Sequence, residues 1–418
     1  MVEALLDKEA QWLSGEGPES SVVVASECTL LRNLADSPFP GHCTEGELAA
    51  IEGRVVGVLD VVHMLDEGRY CSLTTIDQDE EARFLAERRL LAFFRSEMIV
   101  PRGHGQVGVQ AGPSRSAVGA TPISGPRGVY AADDQSLGIM VNGSDHLCGR
   151  ALASGLQLRD VWARLNLVDD TLAGMLDFAY EDRCGYLTRD LCHAGTGLKA
   201  RVILHLPALA MANEVNAVAE LAKGQNQVLR GVRPTVALRL WPKGSKEEVM
   251  GQGDAKAPAI VGVLSEGLYS DVSGSLCGAV DEAEGDLYVL SNESTLGISE
   301  EEIVFHVSHV AEDIVAREEA ARATLQAQDS VRLEDRVARA LGLARRARLL
   351  EYSEALALLS SIRLGVVTGL VKHSLWDVHD LLVAAQSAHI RVRAGQTCDQ
   401  LALNTRRADL FRERFSSN

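Results

Sequence analysis

The residues of this chain that could hold phosphates gather in one stretch, Cys184 to Met211 (CGYLTRDLCHAGTGLKARVILHLPALAM). A turn-rich loop, Arg189 to Gly197, carries Asp190, Cys192, His193 and two glycines, and Lys199 follows directly. A glycine loop that feeds a strand can aim backbone N–H groups and a cation at phosphate oxygens. Glycines in turns are more often structural, so the loop alone does not define a site. Asp190 is read first as a loop residue that hydrogen-bonds its own backbone. His146 and His205 are read as buried and hydrogen-bonded. Cys192 has no activating partner visible in the sequence.

These residues need elements to hold them. Lys199 to Leu206 alternates, with Val202, Leu204 and Leu206 on one side and Arg201, Ile203 and His205 on the other, which is strand period. Lys199 and Arg201 then form a strand face with charged tips. Pro207 ends the ladder, and Ala208 to Lys223 reads as one helix closed by Gly224. Upstream, residues 1–15 suggest a short helix ending at Gly15, within an N-terminal unit 1–20. Ser21 to Ser26 begins a strand, Arg54 to Met64 is apolar with mixed period, and Asp77 to Phe94 is a charged helix. Pro101 to Gly128 is a loop rich in Gly, Pro and Ser. Leu158 to Tyr180 is helical around Asp169-Asp170. Ser299 with Glu302 forms a capping box, and the helical stripe after it runs to about Ala327. From Leu333 onward every segment has helical period, with Ser353 as an N-cap.

At 418 residues the chain is long enough for two domains with substantial cores. A net charge of −17 excludes nucleic acid as a general partner, because phosphate backbones need a basic face. The eight cysteines are scattered without a C-x-x-C pair, so neither a disulfide framework nor a metal site is expected. The amphipathic, acidic start is no signal peptide, no apolar run has membrane-spanning length, and a reducing cytoplasm is the expected compartment.

The wording of the central stretch is more specific than its physics. GYLT, a loop, and then GTGL-K-A-x-V resemble the phosphagen (ATP:guanido) kinases, and most closely the bacterial protein-arginine kinases, whose pattern is GYLT-x-CPTN-x-GTGLRASV. Asp190 stands where that pattern has its loop cysteine, and Lys199 replaces an arginine. Glu27 and Thr29 occupy the two arginine positions of S-S-R-x-R-L-A-R-N-L, while Arg32 and Asn33 match it. Arg89 falls on a nucleotide-contacting histidine. In S-L-x-I-M-x-N-E-E-D-H-L-R, Asn142, Asp145, His146 and Leu147 match, but Ser144 replaces the catalytic glutamate and Cys148 the arginine. Arg230 aligns with the arginine of R-G-x-x-G-E-G, whose glutamate has no settled counterpart; Glu266 is one candidate. In the last helix only Arg407 and Ala408 match the phosphoarginine-binding R-D-x-x-R-A, with Asn404 at a changed position.

The resemblance implies an α/β (α+β) fold: an antiparallel sheet flanked by helices over residues 21–310, followed by a helical C-terminal domain over 325–418. It implies ATP and magnesium as the family's cofactors, and the positions of the family's ATP pocket are occupied here by Glu27, Thr29, Arg89, Cys148, Lys199 and Arg230, most of them changed. It places Ser144, Asp190 and Asp145 at the transfer site. Replacing three arginines by Glu27, Thr29 and Cys148 makes that pocket about four charge units less positive. At about 1.5–3 kcal/mol for each charge-assisted hydrogen bond, the loss is roughly 4–9 kcal/mol, so nucleotide binding in the family's mode is not expected. The expectation is a catalytically degenerate relative acting through a protein partner, either arginine-rich or an intact kinase. The alternatives are a rebuilt phosphotransferase and a structural hetero-oligomer subunit. The apolar helices after Leu333, with Leu356, Leu359, Ile362, Leu364 and Leu370, imply a homodimer through the C-terminal part.

Overall fold

The computed structural model describes residues 5, 8–65, 67–73, 85, 88, 125–232, 283–395 and 398–416. Arg89, most of Asp77–Phe94, most of Pro101–Gly128, and the segment containing Thr235–Leu240, Ala259–Leu264 and Glu266 lie outside the described residues.

In chain order the strands are β1 (Val23–Arg32), β2 (Gly68–Ser72), β3 (Gly128–Ala132), β4 (Leu137–Val141), β5 (Leu147–Ser154), β6 (Tyr180–Glu181), β7 (Gly185–Tyr186), β8 (Leu198–His205), β9 (Gln227–Gly231) and β10 (Leu287–Asn292). The helices are α1 (Glu45–Leu65), α2 (Leu158–Ala173), α3 (Pro207–Ala212), α4 (Val215–Gly224), α5 (Glu300–Gln328), α6 (Ser330–Arg346), α7 (Tyr352–Val367), α8 (Leu375–Ala384), α9 (Ser387–Ala394) and α10 (Gln400–Phe415). Eight strands form one sheet in the order β2-β3-β4-β5-β1-β8-β10-β9, every pair antiparallel. This is the antiparallel sheet flanked by helices, followed by a helical C-terminal region, that the family resemblance implies.

Successive strand residues point to opposite faces, and the two faces meet different cores. Cys28, Leu30, Val202, Leu204, Tyr288 and Leu290 pack under α1, α2 and α5 through Ile51, Val55, Leu165, Val307 and Ile314. The alternate positions Ala25, Leu152, Ile203 and Val289 pack against the C-terminal helices through Leu333, Leu356, Leu359, Ile362 and Phe411. Leu356, Leu359, Ile362 and Leu364 are therefore interior, at 1% exposure or less, and only Leu370 of that group is open at 43%. Leu356, Leu359, Ile362 and Leu364 close one face of the sheet within the chain, while Leu343, Leu349, Leu370 and Leu401 of the C-terminal part stay exposed.

Among the described residues of 1–20, Leu5 is helical and Gln11–Leu13 is a 3-10 turn, with Ala10, Trp12 and Leu13 drawn into the second core. Arg54 to Met64 lies wholly inside α1. The helix expected from Ala208 to Lys223 is two, broken at Asn213, whose φ of 58° caps α3 in the left-handed region that Asn tolerates. The N-cap before α7 is Glu351, with Ser353 already helical. The capping box at Ser299 and Glu302 forms as the sequence indicates. Among the described residues no helix is long and apolar enough to cross a membrane.

Candidate active site

Beyond Ala25, Leu152 and Ile203, the same sheet face turns polar. Glu27 and Thr29 on β1, Cys148 and Arg150 on β5, Lys199 and Arg201 on β8, and Arg230 on β9 all project from it. The register fixes this: Glu27 lies opposite Arg201, Thr29 opposite both Arg150 and Lys199, and Arg230 opposite Val289. Cross-strand neighbours share a face.

Glu27 is fully buried. Its Oε1 accepts from Arg201 Nη1 at 2.7 Å and from Thr29 Oγ1 at 3.3 Å, and Arg150 Nε lies 3.6 Å away. Arg201 Nη1 also donates to Thr29 Oγ1 at 3.0 Å. A buried carboxylate survives only when paired, and here two arginines surround it. This corrects the charge reckoning from sequence: Arg201 stands where the family pattern has serine, and Arg150 lies two positions beyond Cys148 on the same face. Positive charge has moved as well as been lost. Cys148 is buried, and burial pushes its thiol up to about 12.

Lys199 is half-buried. Its Nζ donates to the Asn292 carbonyl at 2.6 Å, and burial, followed by the Arg201 charge, lowers it to about 8. Asn292 is a residue that sequence reasoning missed. Its side chain also accepts from Ala200 N at 2.9 Å and donates to Leu198 O at 3.1 Å, locking β10 to β8.

The matched residues prove to be scaffold. Asn33 Nδ2 donates to Asp145 Oδ1 at 2.6 Å, His146 N donates to Asn33 Oδ1 at 2.9 Å, and Leu34 N donates to His146 Nδ1 at 3.0 Å. These bonds lace the end of β1 to the turn before β5. Burial lowers His146 to about 4, so it is a neutral acceptor. His205 is likewise buried, between Ser360 Oγ at 3.0 Å and Arg363 Nη1 at 2.9 Å. Arg32 pairs with Asp169 at 2.8 Å, donates to Thr196 O at 2.8 Å and lies 3.5 Å over the Tyr186 ring.

The three transfer-site candidates do come together. Asp145 Oδ1 also accepts from Arg189 N at 2.8 Å, and its Oδ2 accepts from Ser144 Oγ at 3.0 Å. Asp145 thus ties Ser144 to the loop that carries Asp190. Burial raises its carboxyl, against the hydrogen bonds from Arg189, Asn33 and Ser144. Asp190 is exposed and precedes a 3-10 turn, Leu191–His193, that its side chain does not cap. The self-bonding role expected for it is therefore absent at that turn. Cys192 has a neighbour that the sequence reading did not assign, His193 Nδ1 at 3.5 Å.

The fit to a nucleotide in the family's mode is poor. Glu27 presents a carboxylate where an arginine would meet phosphate, Glu27, Thr29, Cys148, Arg150 and Arg201 are all buried, and Lys199 holds a backbone carbonyl. Among the described residues no group of His, Cys, Asp and Glu is arranged to hold a metal ion. In the C-terminal part, Arg407 is buried and donates to Ala385 O at 2.6 Å, Leu350 O at 2.9 Å, Asn404 Oδ1 at 2.9 Å and Ser387 Oγ at 3.2 Å. It clamps α10 to α7, α8 and α9 and is not presented to a phosphoarginine.

Comparison with known proteins sets these replacements in context. The profile of the ATP:guanido phosphotransferase C-terminal catalytic domain matches residues 50–236 and 271–321, and that of the protein-arginine kinase McsB C-terminal domain matches 330–418. The protein-arginine kinase of Symbiobacterium thermophilum is 31% identical over 416 residues, 98% of this chain and 97% of the relative. That of Desulforamulus reducens is 31% identical over 423 residues, 99% and 98%. Among solved structures, a lombricine kinase aligns with a TM-score of 0.49 at 18% identity, over 76% of this chain and 72% of that one. The chain belongs to the protein-arginine kinase family of ATP:guanido phosphotransferases.

Proposed function

We propose that this chain is a catalytically silent member of its family, a cytoplasmic pseudokinase that works by binding a protein partner, arginine-rich or an intact kinase. The observation that supports this most directly is Ser144. It stands where the family pattern has its glutamate, and its hydroxyl donates to Asp145, whose carboxylate already accepts from Asn33 and Arg189. Transfer to arginine needs a carboxylate that orients the guanidinium and takes its proton. A neutral hydroxyl directed at a neighbouring carboxylate does neither.

A rebuilt phosphotransferase is the second reading, favoured by Arg150, Arg201, Lys199 and Arg230 on one sheet face. The two readings separate in one experiment. The purified chain is incubated with magnesium–ATP and a basic test protein, and acid-labile phosphoarginine is sought by mass spectrometry. No phosphoarginine is expected. Phosphoarginine that disappears with Asp190→Asn would establish the rebuilt enzyme instead.

A further inference from the structure

Lys199 stands apart from the other described lysines in what surrounds it. Lys8 pairs with Asp133 at 2.6 Å, Lys223 lies 4.0 Å from Glu220, and Lys372 is exposed. Lys199 instead shares its sheet face with guanidinium groups: Arg201 two positions along β8, Arg150 opposite Thr29 on β5, and Arg230 on β9. The nearest carboxylate on that face, Glu27, is held by Arg201 at 2.7 Å. Lys199 and Arg230 are both half-buried, so each keeps a surface open to a small solute.

This setting disfavours an ammonium. Burial acts first and the Arg201 charge second; Arg230 adds to them, while Cys192 in the preceding loop and Glu293 after β10 oppose them. With Lys199 lowered to about 8, roughly a quarter of it is neutral at pH 7.5, against about a thousandth of an ordinary lysine. Its Nζ donates to the Asn292 carbonyl at 2.6 Å, a bond that needs one N–H and survives loss of the charge. A desolvated lysine beside other cations is an activated nucleophile. The arginine that the family pattern has at this position stays protonated and cannot act so.

We propose that Lys199 is an acylation site whose donor is a small acyl phosphate, with Arg230 attracting the phosphate of the donor. The neutral amine attacks the acyl carbon. The C–N bond forms as the acyl C–O bond breaks, phosphate leaves with the bonding electron pair, and the surplus N–H proton passes to water. Cations fixed beside the reacting group stabilise the departing phosphate. The product amide N–H can still donate to Asn292, so β8 stays tied to β10. Acylation removes one positive charge from beside Arg201 and Arg230, and the crowding that frees the amine also favours the product.

The test uses the full chain without nucleotide, so its result is independent of whether phosphoryl transfer to arginine occurs. Acetyl phosphate is the probe, and mass spectrometry follows acetylation at each lysine. At pH 7.5 Lys199 is expected to react about fivefold faster, or more, than Lys8, Lys223 and Lys372. Its rate should rise with pH through a midpoint at about 8. Arg230→Gln should slow Lys199 about threefold and leave the other three lysines unchanged. Inorganic phosphate should compete at Lys199 alone, and a neutral acetyl thioester should be clearly less selective for it. Lys199 reacting no faster than the other three, or with equal selectivity toward both donors, overturns the proposal. So does a Lys199 rate unchanged by Arg230→Gln. If that variant fails to fold, phosphate competition on the parent chain decides in its place, and its absence overturns the proposal.

Discussion

Glu27 on β1 and Arg201 on β8 are cross-strand partners, both fully buried and joined at 2.7 Å. The family pattern has arginine at the first position and serine at the second, so the cation of this pair has changed strands. Removing one partner of a buried pair leaves an uncompensated charge and costs about 3–5 kcal/mol. Glu27→Gln should therefore lower the unfolding free energy by about that amount in urea titrations. Glu27→Arg should do more harm, because it sets a third guanidinium against Arg201 and Arg150. Adding Arg201→Ser to Glu27→Arg should recover most of the loss. A Glu27→Arg chain as stable as the parent would show that the pair does not hold these strands.

The capping box and the alternation of β8 could be read from residue order, because period and cap chemistry are local, whereas the antiparallel sheet came from the family resemblance. What lay opposite each strand residue could not. Arg201 was visible as a charged tip, but its partner is 174 positions away in sequence. Glu27 therefore appeared as a repulsive intruder in a phosphate pocket rather than half of an ion pair. Arg150 was legible in principle, since period two places it beside Cys148. The Asn213 break was hidden because Asn enters the left-handed region at little cost. The matched residues Arg32, Asn33, Asp145 and His146 were recognisable as text, while their reason, a set of mutual hydrogen bonds, exists only in three dimensions.

Acid should destabilise this fold earlier than its carboxylates alone would. Burial, with Arg363 beside it, lowers His379 to about 3; burial lowers His146 to about 4; and His205 and His389 lie well below the ordinary imidazole range for the same reason. The unfolded chain takes up these protons near pH 6.5 and the folded chain does not. Stability is then fully present above about pH 6.5 and falls as pH drops toward the folded values, by about 1.4 kcal/mol per unit for each imidazole. His379 Nε2 accepts from Arg363 Nε at 3.0 Å, so it cannot be protonated in place. His379→Gln should flatten the slope between pH 6 and 4 in denaturant titrations. An unchanged slope would contradict this assignment.

Arg407 should behave as a structural clamp. Arg407→Ala leaves the carbonyls of Ala385 and Leu350 without their donor, at about 1–3 kcal/mol for each buried group left unmet. Thermal unfolding should shift down by several degrees, and free phosphoarginine should neither stabilise the parent chain nor rescue the variant. Protection of the parent by millimolar phosphoarginine would restore the ligand role to this helix.

The final prediction concerns what it would take to rebuild the nucleotide pocket. Glu27→Arg, Thr29→Arg and Cys148→Arg together restore the family's arginines, but they face Arg150, Arg201 and Lys199 with no carboxylate between them. That triple variant should be strongly destabilised without polyanion and measurably protected by tripolyphosphate. Adding Arg201→Ser returns serine to the position where the family has it and should allow folding without ligand. In that background each arginine should contribute about 1.5–3 kcal/mol to magnesium–ATP binding, less the cost of ordering its side chain. Transfer should remain absent until Ser144→Glu is added, because holding phosphate and removing a guanidinium proton depend on different residues. Calorimetry on the four-residue variant and phosphoarginine detection on the five-residue one check the two steps separately. A folded four-residue variant that binds no magnesium–ATP would place the remaining divergence in the backbone of Arg189–Gly197, where Asp190 precedes a 3-10 turn and Cys192 meets His193. The central loop would then be a structural link between β7 and β8 rather than a phosphate cradle awaiting its cations.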